Sequence, residues 1–167
     1  MEGNNKMDPR VIEQMNSFIN DNALHQKLMI TLVRDECILN PEKRLELIEI
    51  LTSNITFFKL LEKYMHQLNI KEKDFRNRAC ISDALFHNMI DSNYRSSKKT
   101  VFKSLIGLSL GYMDSSACLE KAGYAFNWNN NTDLVIIFCI INKIYKAMEI
   151  DELLEAAGEP CIFNNTN

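Results

Sequence analysis

The side chains able to perform acid–base or metal chemistry are scattered along this chain. General acid–base catalysis needs titratable groups held in one cleft, yet the only adjacent carboxylates are Asp35-Glu36 and Asp151-Glu152, both at positions typical of solvated helix faces. His66 lies at the boundary of an amphipathic helix, where a base is uncommon. The cysteines and histidines lack zinc-site spacing, and no glycine-rich phosphate loop occurs. We therefore predict a protein that is not an enzyme and holds no metal or cofactor.

The charged residues point to phosphate instead. The net charge of −3 divides into −3 for residues 1–54, +5 for residues 55–103 and −5 for residues 104–167. A basic segment attracts nucleic acid because each neutralised phosphate releases condensed counterions. The alternative is a solvated surface on which lysines happen to cluster.

Length and composition favour one helical unit. The chain has 167 residues, 46% hydrophobic and 25% charged, with five Gly and three Pro. This usage excludes disordered, collagen-like and low-complexity classes, and the scarcity of turn residues argues against an all-β fold. The sequence predicts an all-α, compact bundle of about eight helices that contains a helix-turn-helix core.

No feature of the sequence predicts secretion or membrane insertion. The longest apolar run, Leu134 to Ile141, has eight residues, whereas a spanning helix needs roughly 20. The N-terminus lacks the pattern of a signal peptide, and the five widely spaced cysteines are typical of core residues in a reducing cytosol. We predict a cytoplasmic protein without a membrane partner.

Helical periodicity and capping residues divide the chain into four parts. We predict an N-terminal helical segment (1–53), a helix-turn-helix-like core (54–112), closing helices (113–163) and a disordered tail (164–167). Asn54 and Asp114 are predicted helix caps. Thr132 to Met148 reads as one buried helix, for which a strand is the rival interpretation. Two short helices, Lys71 to Ala79 and Ser82 to Asp91, predict the helix-turn-helix itself.

Residues 74–90, DFRNRACISDALFHNMI, and residues 92–110, SNYRSSKKTVFKSLIGLSL, carry a family resemblance. Their order is helix, three-residue turn, helix, basic loop and apolar helix, which resembles the lambda repressor-like (Xre-like) helix-turn-helix family. The resemblance implies that Ser82 caps the recognition helix. It also implies a set of inward-facing residues: Phe75, Ala79, Ile81, Phe86, Met89, Val101, Leu105 and Leu108.

The following stretch is similar to a more particular module. Leu119-Glu-Lys-Ala-Gly-Tyr124 and the apolar helix after it resemble a variant found in bacterial signalling and conflict-system proteins, in which an AGY-containing helix follows the helix-turn-helix. That module has no single established activity, so the similarity bears more on fold than on function.

The family resemblance implies a DNA site. The residues that would face base edges are Ser82, Asp83, Ala84, His87 and Asn88. The residues that would hold backbone phosphates are Lys71, Lys73, Arg95, Lys98 and Lys99. The sequence departs from the family at two positions: Arg76 replaces a small residue, and Cys80 replaces the usual turn glycine.

The basic segment and the family resemblance, with its departures, lead to two alternative predictions of function. The first is a DNA-binding transcription regulator of bacterial or phage origin, which contacts double-stranded DNA and possesses the two-fold symmetry of a homodimer. The alternative is a non-catalytic protein–protein interaction module, an adaptor or inhibitor in bacterial or phage conflict, that uses a degenerate helix-turn-helix scaffold. In that alternative, exposed aromatic residues such as Tyr94, Phe126 and Trp128 would contact the protein partner.

Overall fold

The computed structural model describes residues 6–164, which form α-helices and no strand. The ten helices are α1 (Pro9–Asn20), α2 (Asn22–Val33), α3 (Pro41–Thr52), α4 (Phe57–Gln67), α5 (Glu72–Ala79), α6 (Asp83–Ile90), α7 (Lys98–Gly107), α8 (Tyr112–Lys121), α9 (Asn131–Ile141) and α10 (Ala147–Ala156). A π-helical turn, Arg34–Ile38, joins α2 to the segment before α3. The all-α prediction is confirmed.

Side-chain caps start the helices largely where the sequence predicts. The Asp8 carboxylate accepts from the Arg10 N–H ahead of Pro9, and Asn40 does the same for Lys43 ahead of Pro41. Two predicted caps are wrong. Thr56, two residues after Asn54, caps α4. Asp114 lies inside the first turn of α8, because that helix already begins after Gly111.

The described residues form ten helices where the sequence predicts about eight, and tight left-handed turns end six of them. Each of these six helices ends one or two residues before a residue with positive φ: Asn69, Cys80, Ser109, Gly123, Lys143 and Gly158. After each, the next N–H bonds back to a carbonyl five residues earlier, as Ile144 N–H does to the Cys139 oxygen at 2.8 Å. The predicted helix to Met148 therefore stops at Ile141, and the rival strand does not form.

One continuous apolar core joins all parts of the described chain. Residues 134–140 of α9 are buried on every side, as the sequence predicts. α1 packs against α9 and α10, and α3 packs against α8. The rings of Phe18 and Phe138, 5.7 Å apart, are one contact between α1 and α9.

Of the adjacent carboxylates predicted to be solvated, Asp35 is exposed, but Glu36, Asp151 and Glu152 are hydrogen-bond acceptors within the fold. Asp151 is 2% exposed and accepts from the backbone N–H groups of Ile162, Phe163 and Asn164. Glu36 accepts from the Met113 N–H at 2.9 Å, and so supplies the cap that Gly111 cannot. The first residue of the predicted disordered tail, Asn164, is therefore hydrogen-bonded to Asp151. Residues 165–167 lie outside the described range.

Across residues 6–164, no helix combines the length and the apolar character that crossing a membrane requires.

Candidate nucleic-acid interface

The core of the candidate site is the pair α5 and α6, joined by Cys80, Ile81 and Ser82. All eight inward positions implied by the resemblance are buried, from Phe75 to Leu108. The ring of Phe86 lies edge-on to Phe75 at 6.1 Å and to Phe58 of α4 at 5.4 Å. These contacts fix α6 against the bundle by the face that carries Phe86 and Met89.

The turn between the two helices adopts a left-handed backbone at Cys80, with φ of 51° and ψ of 45°. Glycine adopts this conformation without strain, which accounts for its place in the family pattern. The ammonium of Lys103 donates to the Cys80 carbonyl at 3.3 Å. Lys103 is 4% exposed, and burial lowers its pKa. A lysine on α7 thus holds the end of α5.

Close contact between α5 and α7 completes the support of this turn. A Cβ at Gly107 would lie 2.7 Å from the Cβ of Ala79. Because that distance is shorter than van der Waals contact allows, Gly107 lets the two helices approach. This role of Gly107 was not predicted, since a lone glycine near a helix end also fits a simple terminator.

Arg76 is accommodated by ion pairing in place of a small side chain. Its guanidinium pairs with Asp83 at the start of α6, and its Nε lies 3.3 Å from a carboxylate oxygen of Glu72. It also lies over the ring of Phe86, 5.9 Å from the centroid. The residue that departs from the family pattern therefore ties α5 to α6 and neutralises the carboxylate of Asp83.

The outer face of α6 is open to solvent. Ser82 caps the helix by accepting from the Leu85 N–H at 3.2 Å, as predicted. Ala84, His87 and Asn88 are exposed. His87 Nδ1 lies 2.8 Å from the Asp83 carbonyl oxygen. With Nδ1–H donating to that carbonyl, the other ring nitrogen of a neutral His87 is an acceptor.

Four of the five predicted phosphate-binding cations are exposed and form no ion pair with any residue in the range 6–164. Lys71 precedes the first turn of α5 and Lys73 lies in it, while Arg95 lies in the loop before α7 and Lys99 in the first turn of α7. The backbone amides at these helix starts add to the positive potential of the four side chains.

Lys98 differs from the other four. Its ammonium lies 2.6 Å from a carboxylate oxygen of Asp133, which is 3% exposed. The structure therefore places Lys98 in an ion pair between α7 and α9, because the buried Asp133 carboxylate needs a partner. This pairing was not predicted, since the two residues are 35 positions apart and no local pattern connects them.

The AGY segment positions the basic loop. Gly123 ends α8 with φ of +86°, and the Tyr124 hydroxyl donates to the Ser96 carbonyl at 3.0 Å. Ser96 is buried next to Arg95. Arg95 also lines a cleft of about 570 Å³ between the start of α4, the α6–α7 loop and the end of α8.

Three other features were not foreseen. Arg78, on α5, is exposed like the four cations above and was absent from the predicted set. Phe126 stacks on Phe102 and Tyr112 at 6.1 and 5.3 Å. Trp128 donates to the Tyr112 hydroxyl. Both aromatic rings are half-buried in the fold.

Comparison with known proteins adds no relative: no family model, curated protein or solved structure matches this chain. The resemblance to lambda repressor-like proteins therefore stays a prediction. Within the described range, no three side chains of the metal-binding types cluster in a way that could hold an ion.

Proposed function

We propose that this protein is a helix-turn-helix DNA-binding regulator, in which α6 contacts base edges and the cations around it contact phosphates. The observation that carries the proposal is the exposure of Lys71, Lys73, Arg95 and Lys99 without a carboxylate partner among residues 6–164. Along the chain they flank α6, the helix whose exposed residues include Ala84, His87 and Asn88. Cations that are already ion-paired would give up that pairing to bind phosphate, whereas these four need not.

The electrostatics of the basic segment supports the same function. Of its ten cations, Lys59, Lys63, Arg76 and Lys98 pair with carboxylates, and Lys103 is buried against a backbone carbonyl. Three of the five acidic residues of the segment, Glu62, Glu72 and Asp83, are partners in these ion pairs. Five exposed cations then remain against Asp74 and Asp91, so the surface stays positive after internal pairing.

Asp83 would otherwise oppose this function. A carboxylate at the first position of a recognition helix repels nearby phosphates, unless a cation neutralises it or a cytosine amine donates to it. Arg76 supplies that cation. Arg76, which departs from the family pattern, thus offsets the negative charge of Asp83.

The test is a fluorescence-anisotropy titration of the full chain with a mixed-sequence duplex over a series of salt concentrations. We expect affinity to fall with salt, with a log–log slope of about −0.9 per phosphate contact. The Lys73→Ala/Lys99→Ala variant should lower the magnitude of that slope by about 1.8, because two contacts are lost. The matched control is Lys27→Ala, an exposed lysine of α2 far from α6 in sequence.

Two results would overturn the proposal. One is an absence of binding at the lowest salt, where phosphate contacts are strongest. The other is an equal loss of affinity in the double variant and in Lys27→Ala, which would mean non-specific attraction by any lysine of the chain.

The second candidate, a non-catalytic adaptor or inhibitor, is favoured by a different observation. Large apolar side chains are exposed on the N-terminal helices, well before α6 in the chain. Such a surface is typical of contacts between proteins, whether they are copies of one chain or different chains.

A further inference from the structure

A concentrated apolar surface lies on α2, the π-helical turn and α3. Within residues 29–51, eight large hydrophobic side chains are between 36% and 69% exposed; we call them the N-terminal apolar surface: Met29, Ile30, Val33, Ile38, Leu39, Leu45, Ile48 and Leu51. The other exposed large hydrophobic residues of the described chain are Leu68, Ile90, Tyr94 and Met148, which are distributed over three parts of the fold, since Ile90 and Tyr94 line the same cleft. The clustering thus sets this surface apart.

Helical spacing places these side chains opposite the core. On α2, Met29, Ile30 and Val33 fall on one face, and the opposite face carries Leu24, Leu28 and Leu32, which are partly buried against the core. On α3, Leu45, Ile48 and Leu51 recur every three residues along one side, while Leu47 and Ile50 face the core. The π-helical turn packs against both helices, so the three elements are continuous.

The size of the surface matches what one partner of a dimer buries. The exposed area of its eight residues is on the order of 800 Å², about the area that each partner contributes to a standard interface. The largest apolar patch on a typical monomer is about 300–600 Å². Leaving this surface in water would therefore be costly and would favour association.

The charges at its edge fit a second copy better than a nucleic acid or a membrane. Exposed residues of both signs border the surface: Arg34, Asp35, Glu42, Arg44 and Glu49. A peripheral membrane helix carries mainly Lys and Arg on its polar face, and nucleic acid likewise needs a positive excess. A border with both charge signs and a net charge near zero suits a two-fold contact. In such a contact, each basic residue of one copy can face an acidic residue on the same surface of the other copy.

We propose that the N-terminal apolar surface is the interface of a homodimer formed by two copies of this chain. The proposal stands independently of DNA binding, since it rests on α2, α3 and the turn between them. Burial of the eight side chains in both copies would form an interface of about 1,600 Å² in total, the standard size for specific complexes.

Sedimentation equilibrium of the full chain tests whether it forms this dimer. The concentration should run from about 1 to 200 μM, because interfaces of such area span a wide range of affinities. We expect a reversible dimer. Ile30→Glu and Leu45→Glu, made separately, should raise the dissociation constant by about 100-fold or more, because each would bury an unpaired charge twice in a symmetric contact. Met148→Glu is the matched control, since Met148 is 72% exposed but lies on α10.

The side chains replaced are exposed in the single chain, so the variants should keep the wild-type circular dichroism, and their melting temperature should match that of wild type diluted below its dissociation constant. A chain that is monomeric at 200 μM overturns the proposal, even if another protein is found to bind this surface. A dimer that both glutamate variants leave intact, or that Met148→Glu disrupts equally, also overturns it, because the interface would then lie elsewhere.

Discussion

The ammonium of Lys98 lies 2.6 Å from the Asp133 carboxylate, and the same carboxylate oxygen accepts from the Asn127 N–H at 2.6 Å. The next residue, Lys99, is exposed and has no carboxylate partner among the described residues. Adjacent lysines of identical chemistry thus have different surroundings: one connects α7 to α9, and the other faces solvent.

This difference predicts opposite effects for two single substitutions. Lys98→Ala should lower the free energy of unfolding by about 2 kcal/mol, because it leaves the buried Asp133 without its cation. It should leave the salt dependence of DNA binding nearly unchanged. Lys99→Ala should change stability by less than about 0.5 kcal/mol and reduce the salt slope by about 0.9. Urea unfolding and anisotropy titrations measure the two effects, and equal effects of both variants would contradict the assignment.

The pairing of Arg76 with Asp83 predicts a reciprocal effect on DNA affinity. Arg76→Ala should weaken binding roughly tenfold at low salt, because the carboxylate of Asp83 would then repel phosphate. Arg76→Ala/Asp83→Ala should recover most of that loss, since it removes the repelling charge as well. A double variant no better than Arg76→Ala would show that Arg76 acts by contacting DNA or by holding the fold. Circular dichroism of each variant separates those two cases.

The left-handed turn at Cys80 predicts that glycine is preferred there. Cys80→Gly should raise the free energy of unfolding by about 0.5–1 kcal/mol, since a side chain with positive φ is strained and glycine is not. The melting temperature should rise by about 1–4 °C. The matched control is Gly123→Ala, because Gly123 has a φ of +86° and open space around it. This substitution should lower the free energy of unfolding by a similar amount. Equal melting temperatures for wild type and Cys80→Gly would show that the turn carries no strain.

Tyr64 predicts a loss of stability in alkaline solution. Burial, and then the charge and hydrogen bond of Asp114, raise the pKa of Tyr64 well above its ordinary value of 10. Above pH 10 the folded state keeps this proton while the unfolded chain releases it. The contribution of Tyr64 to the free energy of unfolding is therefore complete below pH 10 and is lost as the pH rises beyond 10. Tyr64→Phe should cost about 1 kcal/mol at pH 7 through the missing hydrogen bond.

Above pH 10 the free energies of unfolding of wild type and Tyr64→Phe should therefore converge. Urea unfolding between pH 7 and 11 measures this, with Tyr94→Phe, at an exposed tyrosine, as the control that should run parallel to wild type. A constant difference between wild type and Tyr64→Phe across that range would contradict the prediction.

Local patterns in the sequence account for the helical fold, and the family resemblance implies the inward face of the candidate site. Ser82 as a cap, and Phe75 with Phe86 as inward residues, are predicted from that resemblance and agree with the structure. The long-range polar contacts could not be predicted in this way. Asp133 meets Lys98 across 35 positions, and Glu36 caps α8 across 77. Such partners depend on how helices pack, which periodicity does not specify.

Asn88 provides the sharpest test of base recognition by α6. Its exposed amide suits bidentate contact with adenine, and no other described residue hydrogen-bonds its side chain. Once selection from random duplexes has given a preferred site, Asn88→Ala should weaken binding to that site by about 10- to 100-fold and relax the preference at one position. Its affinity for mixed-sequence DNA and its salt slope should stay as in wild type, because no phosphate contact is lost. A uniform loss on every duplex would instead assign Asn88 to the phosphate backbone, and unchanged binding to all of them would mean that α6 does not enter the major groove.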